Sequence, residues 1–116
     1  MDRESRLYTY HAEMCKVFSH PKRLHIINAL RQEELSVTEL SRRTGTAMPN
    51  LSQHLTMMRE RGILTSRKEG NMVYYRVADP KLVQAFDLLR QILFRQIERE
   101  GALIRGMMPL AQREAR

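Results

Sequence analysis

Residues 36–76 read SVTELSRRTGTAMPNLSQHLTMMRERGILTSRKEGNMVYYR, and this stretch decides the fold. It opens with a capping box, in which the Ser36 hydroxyl and the Glu39 carboxylate each accept a hydrogen bond from the other residue's backbone amide and start a short helix. Thr44-Gly45 ends that helix, because glycine readily adopts the positive φ of a tight turn. The pattern predicts a short helix, a tight turn and a second helix.

The second of these helices is expected to bury Leu51, Leu55 and Met58, which recur at i, i+4 and i+7. Two strand-like runs follow it, at residues 63–68 and 72–77, and they turn around a glycine. This order of elements is that of a winged helix-turn-helix, in which the second helix enters the major groove of DNA and the hairpin is the wing. We predict a mainly α fold of about five helices with a two-stranded wing.

Helical patterns flank this stretch on both sides. An amphipathic helix is predicted over about residues 3–19. A second helix begins at Pro21, and Ile26 is expected at the margin of its buried face. A long final helix follows Asp79-Pro80. The apolar stripe of the last helix is too extensive for one small core to cover, so together with the first helix it predicts a homodimer interface. The residues expected there are Leu7, Tyr10, Met14, Phe18, Phe86, Leu89, Leu93 and Ile97.

The length of 116 residues predicts a single domain. We expect residues 1–106 to form this domain and residues 107–116 to be a flexible tail. No apolar run approaches the ~18–20 residues of a transmembrane helix, and no secretory signal is apparent at the N-terminus. The one cysteine, Cys15, excludes an internal disulfide and is usual for the reducing cytosol. These features predict a cytoplasmic protein without a membrane partner.

The charge distribution favours a nucleic-acid partner. The chain has a net charge of +7, which fits a polyanion. Residues 36–76 hold seven basic and three acidic residues, whereas residues 1–35 hold six and five. The positive excess therefore falls on the part of the chain where a helix-turn-helix and its wing would meet phosphate.

The second helix of the helix-turn-helix carries, on its outward face, polar residues suited to base recognition. Asn50 and Gln53 have paired donors and acceptors that match adenine edges, Ser52 can contact a base or a phosphate, and Thr56 lies on the same face. Asn71, at the wing tip, can reach a neighbouring minor groove or the backbone. The cations expected to anchor phosphate are Arg42, Arg43, Arg59, Arg61, Arg67 and Lys68.

Four segments of this chain resemble the ArsR/SmtB family of bacterial winged-helix repressors, in the family's order and spacing. They are FSHPKRLHII at 18–27, ELSVTEL at 34–40, NLSQHL at 50–55 and EGNMVYYRV at 69–77. The resemblance covers about residues 10–90 and implies a homodimer that represses by occupying an operator and leaves when an inducer binds. It also implies DNA contacts by Ser52 and His54. Met48-Pro49 stand where the family usually has Gln-Ser, so the contacts at those two positions do not carry over.

The sequence leaves the inducing signal open. By the same resemblance, metal sensors of the family use thiolates in the third helix or Asp/His pairs on the last. Here the third helix offers the hydroxyls of Ser36 and Thr38, and the last has Asp87 but no histidine, so we predict no metal site and no cofactor. His11 and Cys15, at i and i+4, are weak metal candidates because two ligands do not make a site. Cys15 can instead serve as a redox switch, and a small-molecule inducer is a further alternative.

Other function classes have less support in the sequence. No Ser/His/Asp or Cys/His arrangement, paired-carboxylate signature or glycine-rich phosphate loop is found, so we do not expect an enzyme. A redox- or metal-responsive repressor acting through Cys15 and a winged-helix module that binds another protein stay as alternatives. The sequence predicts a sequence-specific transcriptional regulator, namely a homodimeric repressor that binds an imperfect palindrome. It leaves open the operator sequence, the regulated genes and whether the protein represses or activates them.

Overall fold

The computed structural model describes residues 2–101 of the chain. Five helices and three strands follow one another in the described chain: α1 (Arg3–Val17), α2 (Pro21–Ala29), β1 (Leu35–Ser36), α3 (Val37–Thr44), α4 (Met48–Glu60), β2 (Leu64–Glu69), β3 (Met72–Val77) and α5 (Pro80–Glu100). The predicted winged helix-turn-helix is therefore confirmed, with α3 and α4 as its two helices and the β2–β3 hairpin as its wing. The predicted tail at 107–116 lies outside the described residues.

Contacts within the chain divide it into two compact units, of which the first ends at Val83 and the second begins at Gln84. The first unit holds α1 to α4 and the three strands. In the second, Phe86 and Ile97 are buried, and the Arg90 guanidinium lies 4.7 Å from the centroid of the Phe86 ring. No helix within residues 2–101 is both long and apolar enough to cross a bilayer.

Local sequence sets the helix-turn-helix geometry. The backbone amide of Glu39 donates to the Ser36 hydroxyl at 3.1 Å, which is one half of the predicted capping box. The Glu39 carboxylate itself pairs with Arg42 and Arg43, further along α3. Gly45 then turns the chain at a φ of +63°, so that α4 can begin at Met48 after only a short connection.

The sheet contains one strand more than the predicted two-stranded wing. The hairpin turns at Gly70-Asn71, and β3 pairs antiparallel with β2 on one side and with β1 on the other. In the second ladder Leu35 lies opposite Tyr75. A two-residue strand is too short for any periodicity to reveal it, and it forms because the free edge of β3 passes beside the start of α3. The extra strand fixes the base of the wing to the helix-turn-helix.

The core confirms the predicted buried stripe of α4, because Leu51, Leu55 and Met58 are each at most 1% exposed. The expectation that Ile26 lies at the margin of the buried face of α2 was wrong, since it is 0% exposed, as is Ile27. Adjacent helical residues point about 100° apart, so burying both requires that α2 be covered over a wide arc. The helix is therefore a central element of the first unit.

Candidate nucleic-acid interface

The outward face of α4 presents a row of polar side chains. Asn50, Ser52, Gln53 and Thr56 are all exposed, as expected for a helix whose Leu51 side faces the core. Within the described part of the chain, no hydrogen bond or ion pair engages the side chains of this row. Their donors and acceptors are therefore available to an external partner, and the rigid helix fixes their spacing.

The one acidic residue of α4 lies at its C-terminal end. Glu60 lies one turn after Thr56, in a shallow depression that Ser52, Gln53 and Met57 also line. The N-terminal half of α4 has no acidic residue and the N-terminal end of a helix carries partial positive charge, whereas at the other end Glu60 lies between Arg59 and Arg61. The N-terminal half of α4 is consequently the part that can enter a groove, as the recognition helix does in helix-turn-helix proteins.

The arginines of α3, both predicted phosphate anchors, are exposed and already paired within the chain. Arg42 binds the Glu39 carboxylate. Arg43 lies 3.2 Å from a Glu33 oxygen and 3.3 Å from a Glu39 oxygen. Exposed ion pairs of this kind are weak, so either arginine can exchange its carboxylate for a phosphate.

The two arginines at the end of α4 behave differently from each other. Arg61 donates from Nη1 to a Glu13 carboxylate oxygen at 2.8 Å, which ties the end of α4 to α1. Hydrogen bonds from Lys16 and from Arg61 hold the pKa of Glu13 below its ordinary value. Arg59 is exposed and has no ion pair with any described residue, so it is the better candidate for a phosphate contact.

Arg67, predicted to anchor phosphate from the wing, is the most heavily engaged cation of the wing. Its Nε lies 2.9 and 3.0 Å from the two Glu34 oxygens, and Nη1 lies 2.6 Å from a Glu69 oxygen. The guanidinium also stacks 4.6 Å from the centroid of the Tyr74 ring. Hydrogen bonds to Glu34 and then to Glu69 raise the pKa of Arg67 above its ordinary range. In this arrangement Arg67 ties β2 to the segment that precedes β1, and its phosphate contact stays a prediction.

The remaining predicted wing contacts are open to solvent. Lys68 and Asn71 are both exposed, and neither forms an ion pair or side-chain hydrogen bond with another described residue. Asn71 belongs to the two-residue turn that joins β2 to β3, at the tip of the hairpin. These two side chains are therefore free to meet DNA beside the recognition helix.

His54, which the family resemblance implied as a DNA contact, is half-buried and held from inside the chain. Its Nδ1 accepts a hydrogen bond from Arg23 Nε at 3.3 Å, and its ring centroid lies 4.7 Å from that of His20. Burial lowers the pKa of His54, and the nearby charges of His20, Arg23 and Lys22 lower it further. The imidazole is consequently neutral at neutral pH, with its proton on Nε2.

Sequence reasoning did not place the three partners of His54 among the DNA-contacting residues. Their signal was the basic run His20-Pro21-Lys22-Arg23 at the start of a helix. Only the fold shows that this run lies against α4, because Arg23 and His54 are 31 residues apart in sequence.

The weak metal candidates on α1 are both exposed. His11 and Cys15 lie one turn apart, and Cys15 is a free thiol. Within residues 2–101, no group of three or more His, Cys, Asp or Glu side chains is placed to hold a metal ion. Nothing in the described chain adds a third ligand to this pair.

The chain matches the model of the family described as "Bacterial regulatory protein, arsR family" over residues 20–66. It is 32% identical over 102 residues to an uncharacterized HTH-type transcriptional regulator of Mycobacterium tuberculosis, Rv0081, with 87% of this chain and 90% of the relative covered. It is 36% identical over 85 residues to a biofilm growth-associated repressor of Xylella fastidiosa, with 73% and 75% covered.

Solved structures give the same result. The structure superposes on the crystal structure of Rv0081 with a TM-score of 0.76 at 33% identity, covering 83% of this chain and 97% of the other. It also matches the solution structure of a homodimeric winged helix-turn-helix DNA-binding domain from Mycobacterium bovis, with a TM-score of 0.77 at 26% identity and coverage of 88% and 94%.

Proposed function

Because this chain belongs to the ArsR family of bacterial regulatory proteins, it is a DNA-binding transcriptional regulator, and we propose that it acts as a homodimeric repressor on an imperfect palindrome. The observation that carries the proposal is the row of unengaged polar side chains on the N-terminal half of α4. Asn50 and Gln53 recognise base edges in the major groove, and Ser52 contacts a base or a phosphate. Arg59, Lys68 and the other exposed cations around them supply sequence-independent affinity.

Exposed apolar side chains support the homodimer. On α1, Leu7, Tyr10 and Met14 are between 45% and 72% exposed. On α5, Leu89 and Leu93 are also exposed. Large exposed apolar surfaces of this kind mark interaction sites, and a second copy of the chain is the occupant that the homodimeric relative suggests.

The composition of the proposed interface differs in part from the set predicted by the sequence. Phe86 and Ile97 are already buried within the chain, and Phe18 is half-buried, so these three contribute less surface to a partner. Leu88 and Ile92, which the prediction omitted, are 60% and 49% exposed and take their place on α5.

The two-fold symmetry of a homodimer determines the symmetry of its DNA target. A dimer places its two recognition helices about 34 Å apart, one turn of DNA, so the operator consists of two similar half-sites in inverted order. Occupying such a site blocks transcription, as the name of the Xylella fastidiosa relative suggests for that protein. A small molecule or a redox signal releases the dimer, and the proposal needs no resident cofactor. A regulator of this kind works on chromosomal DNA in the bacterial cytoplasm.

Selection from a random pool of duplexes tests the proposal. The expected result is an enriched inverted repeat, bound with 10³-fold or greater preference over unselected duplexes of the same length at the same salt concentration. Sedimentation of the complex is expected to give two chains per duplex. Equal affinity for selected and unselected duplexes refutes sequence-specific recognition. An absence of any DNA binding favours a winged helix that binds another protein.

A further inference from the structure

Four basic side chains meet beside α4, and the proposed function does not use them as a group. The ring of His20 lies 4.7 Å from that of His54, and Arg23 donates to His54. Lys22, next to Arg23 on α2, donates from Nζ to the Thr44 carbonyl at 3.4 Å. The basic cluster is defined here as His20, Lys22, Arg23 and His54. It combines the first turn of α2 with one side of the recognition helix.

The basic cluster presents hydrogen-bond donors only. Nδ1 of His20 accepts from the Lys22 backbone amide at 3.2 Å, and Nδ1 of His54 accepts from Arg23. In the neutral form each ring therefore carries its proton on Nε2, where it is a donor. Lys22 and Arg23 add an ammonium and a guanidinium, which have no acceptor atoms. Such a set is chemically suited to an anion with several oxygens.

No carboxylate neutralises the basic cluster among residues 2–101, because its hydrogen bonds run to backbone carbonyls or between its own members. The predicted phosphate anchors differ in this respect, since a phosphate must displace a carboxylate from most of them. The paired anchors are Arg42 with Glu39, Arg43 with Glu33 and Glu39, Arg61 with Glu13, and Arg67 with Glu34 and Glu69. The basic cluster can take an anion without giving up any such partner.

The position of the basic cluster identifies the anion. His54 follows Gln53 on α4 and lies one turn after Asn50, so the cluster borders the side of the helix that faces the groove. Phosphates line both edges of the major groove that a recognition helix enters. We propose that the basic cluster binds one DNA backbone phosphate in each half-site, at the groove edge beside the start of α2. This inference rests on the proposed function and adds Lys22 and His20 to it as phosphate-binding residues.

The electrostatics of His54 agree with this assignment. Its lowered pKa arises partly from the charges of His20, Arg23 and Lys22, so positive potential is concentrated at this point. A phosphate bound at this point offsets that potential.

Lys22→Gln and His20→Asn test the proposal, with Lys81→Gln as the matched control. Lys22 is exposed. His20 is the N-cap of α2, since its side chain accepts from the Lys22 backbone amide, and asparagine retains this function because it is a good helix N-cap. Lys81 is an exposed lysine at the start of α5, outside the basic cluster. Each protein is titrated with the selected duplex over a range of salt concentrations. The titration is repeated with duplexes that carry one uncharged methylphosphonate in place of one phosphate.

For Lys22→Gln we expect the slope of log K against log salt concentration to flatten by about two units per dimer, because each lost phosphate contact contributes ~0.9. We also expect binding at ~0.1 M salt to weaken at least tenfold. Lys81→Gln is expected to keep the wild-type slope. At one pair of symmetric phosphates, methylphosphonate should weaken wild-type binding but leave Lys22→Gln unchanged. His20→Asn is expected to weaken binding to the selected duplex, because it removes the Nε2 donor of the imidazole.

The inference is overturned if Lys22→Gln keeps the wild-type slope, or if it loses affinity at every phosphate at which the wild type does. It is also overturned if His20→Asn binds the selected duplex as tightly as the wild type. Either outcome leaves the proposed function intact, because the wild-type protein still prefers its selected duplex. A wild-type protein that binds no duplex refutes the proposed function itself, and the phosphate site falls with it.

Discussion

Replacing Gln53 with alanine separates base recognition from general attraction to DNA. The Gln53 side chain is exposed on α4 and makes no hydrogen bond within the described chain, so its removal leaves the fold unchanged. Alanine also has the higher helix propensity, and the melting temperature is expected to stay the same or rise slightly. Any loss of operator affinity must therefore come from the interface with DNA.

The magnitude follows from the chemistry of one amide and the symmetry of the dimer. A bidentate pair between glutamine and adenine contributes about 1–3 kcal/mol of discrimination. A palindromic site contains two such pairs, so the loss is about 2–6 kcal/mol, or a factor of about thirty at the lower end. Affinity for unselected DNA is expected to change by less than about twofold, because phosphate contacts supply it.

Fluorescence anisotropy with labelled duplexes measures both affinities under one set of conditions. The selected operator is compared with a shuffled duplex of the same composition at the same salt concentration. Gln32→Ala is the matched control, since Gln32 is an exposed glutamine in the segment between α2 and β1. The reasoning is refuted if Gln53→Ala weakens both duplexes equally, or if it leaves operator binding within twofold of the wild type.

The wing, the half-buried His54 and the core lead to three more expectations. Glu34→Gln removes the carboxylate that holds Arg67, so the wing should loosen and operator binding should weaken several-fold in the same anisotropy assay; tighter binding would show instead that Arg67 contacts phosphate and that Glu34 competes for it. The folded-state pKa of His54 lies below its ordinary value near 6.5, so the unfolded chain takes up its proton first and the free energy of unfolding falls as the pH drops from 7 toward 5.5. Urea titrations should show that His54→Gln loses this part of the pH dependence, and an unchanged pH profile would contradict it. Leu55→Ala, at a site 1% exposed, should cost about 2–5 kcal/mol in urea unfolding, and a loss under 1 kcal/mol would mean that the site collapses around the smaller residue.

Much of the fold was predictable because its boundaries depend on local chemistry. Pro21 can begin a helix but not continue one, and Gly45 supplies the left-handed turn between α3 and α4. The buried stripe of α4 follows from spacing alone. Strand β1 was not predictable, since two residues carry no periodic signal and pair only because β3 leaves an edge beside them. Ile26 was misplaced because periodicity gives the direction of a side chain but not the width of the surface that covers it.

In the candidate site too, features set by local spacing were predictable and contacts between distant residues were not. The polar row on α4 could be predicted because its members share one helix face with fixed spacing, as Asn50 and Gln53 do. The carboxylate partners of the cations could not be predicted, because these ion pairs join distant parts of the chain. Glu34 and Arg67, for example, are 33 residues apart, and no local pattern connects them. Arg67 was therefore predicted as an open phosphate contact, whereas the fold gives it two carboxylates.

These pairings change where the positive charge of the molecule is available. Counted along the sequence, the excess lies in residues 36–76, with seven cations against three acids, and residues 1–35 are nearly balanced. In the fold, acids of the first segment neutralise cations of the second: Glu13 pairs with Arg61, Glu33 with Arg43 and Glu34 with Arg67. These three acids are thereby engaged elsewhere, and no described carboxylate pairs with Lys22 or Arg23, so the start of α2 is left positive. A phosphate approaching α4 therefore meets uncompensated charge on the α2 side, although residues 1–35 as a whole are nearly balanced in charge.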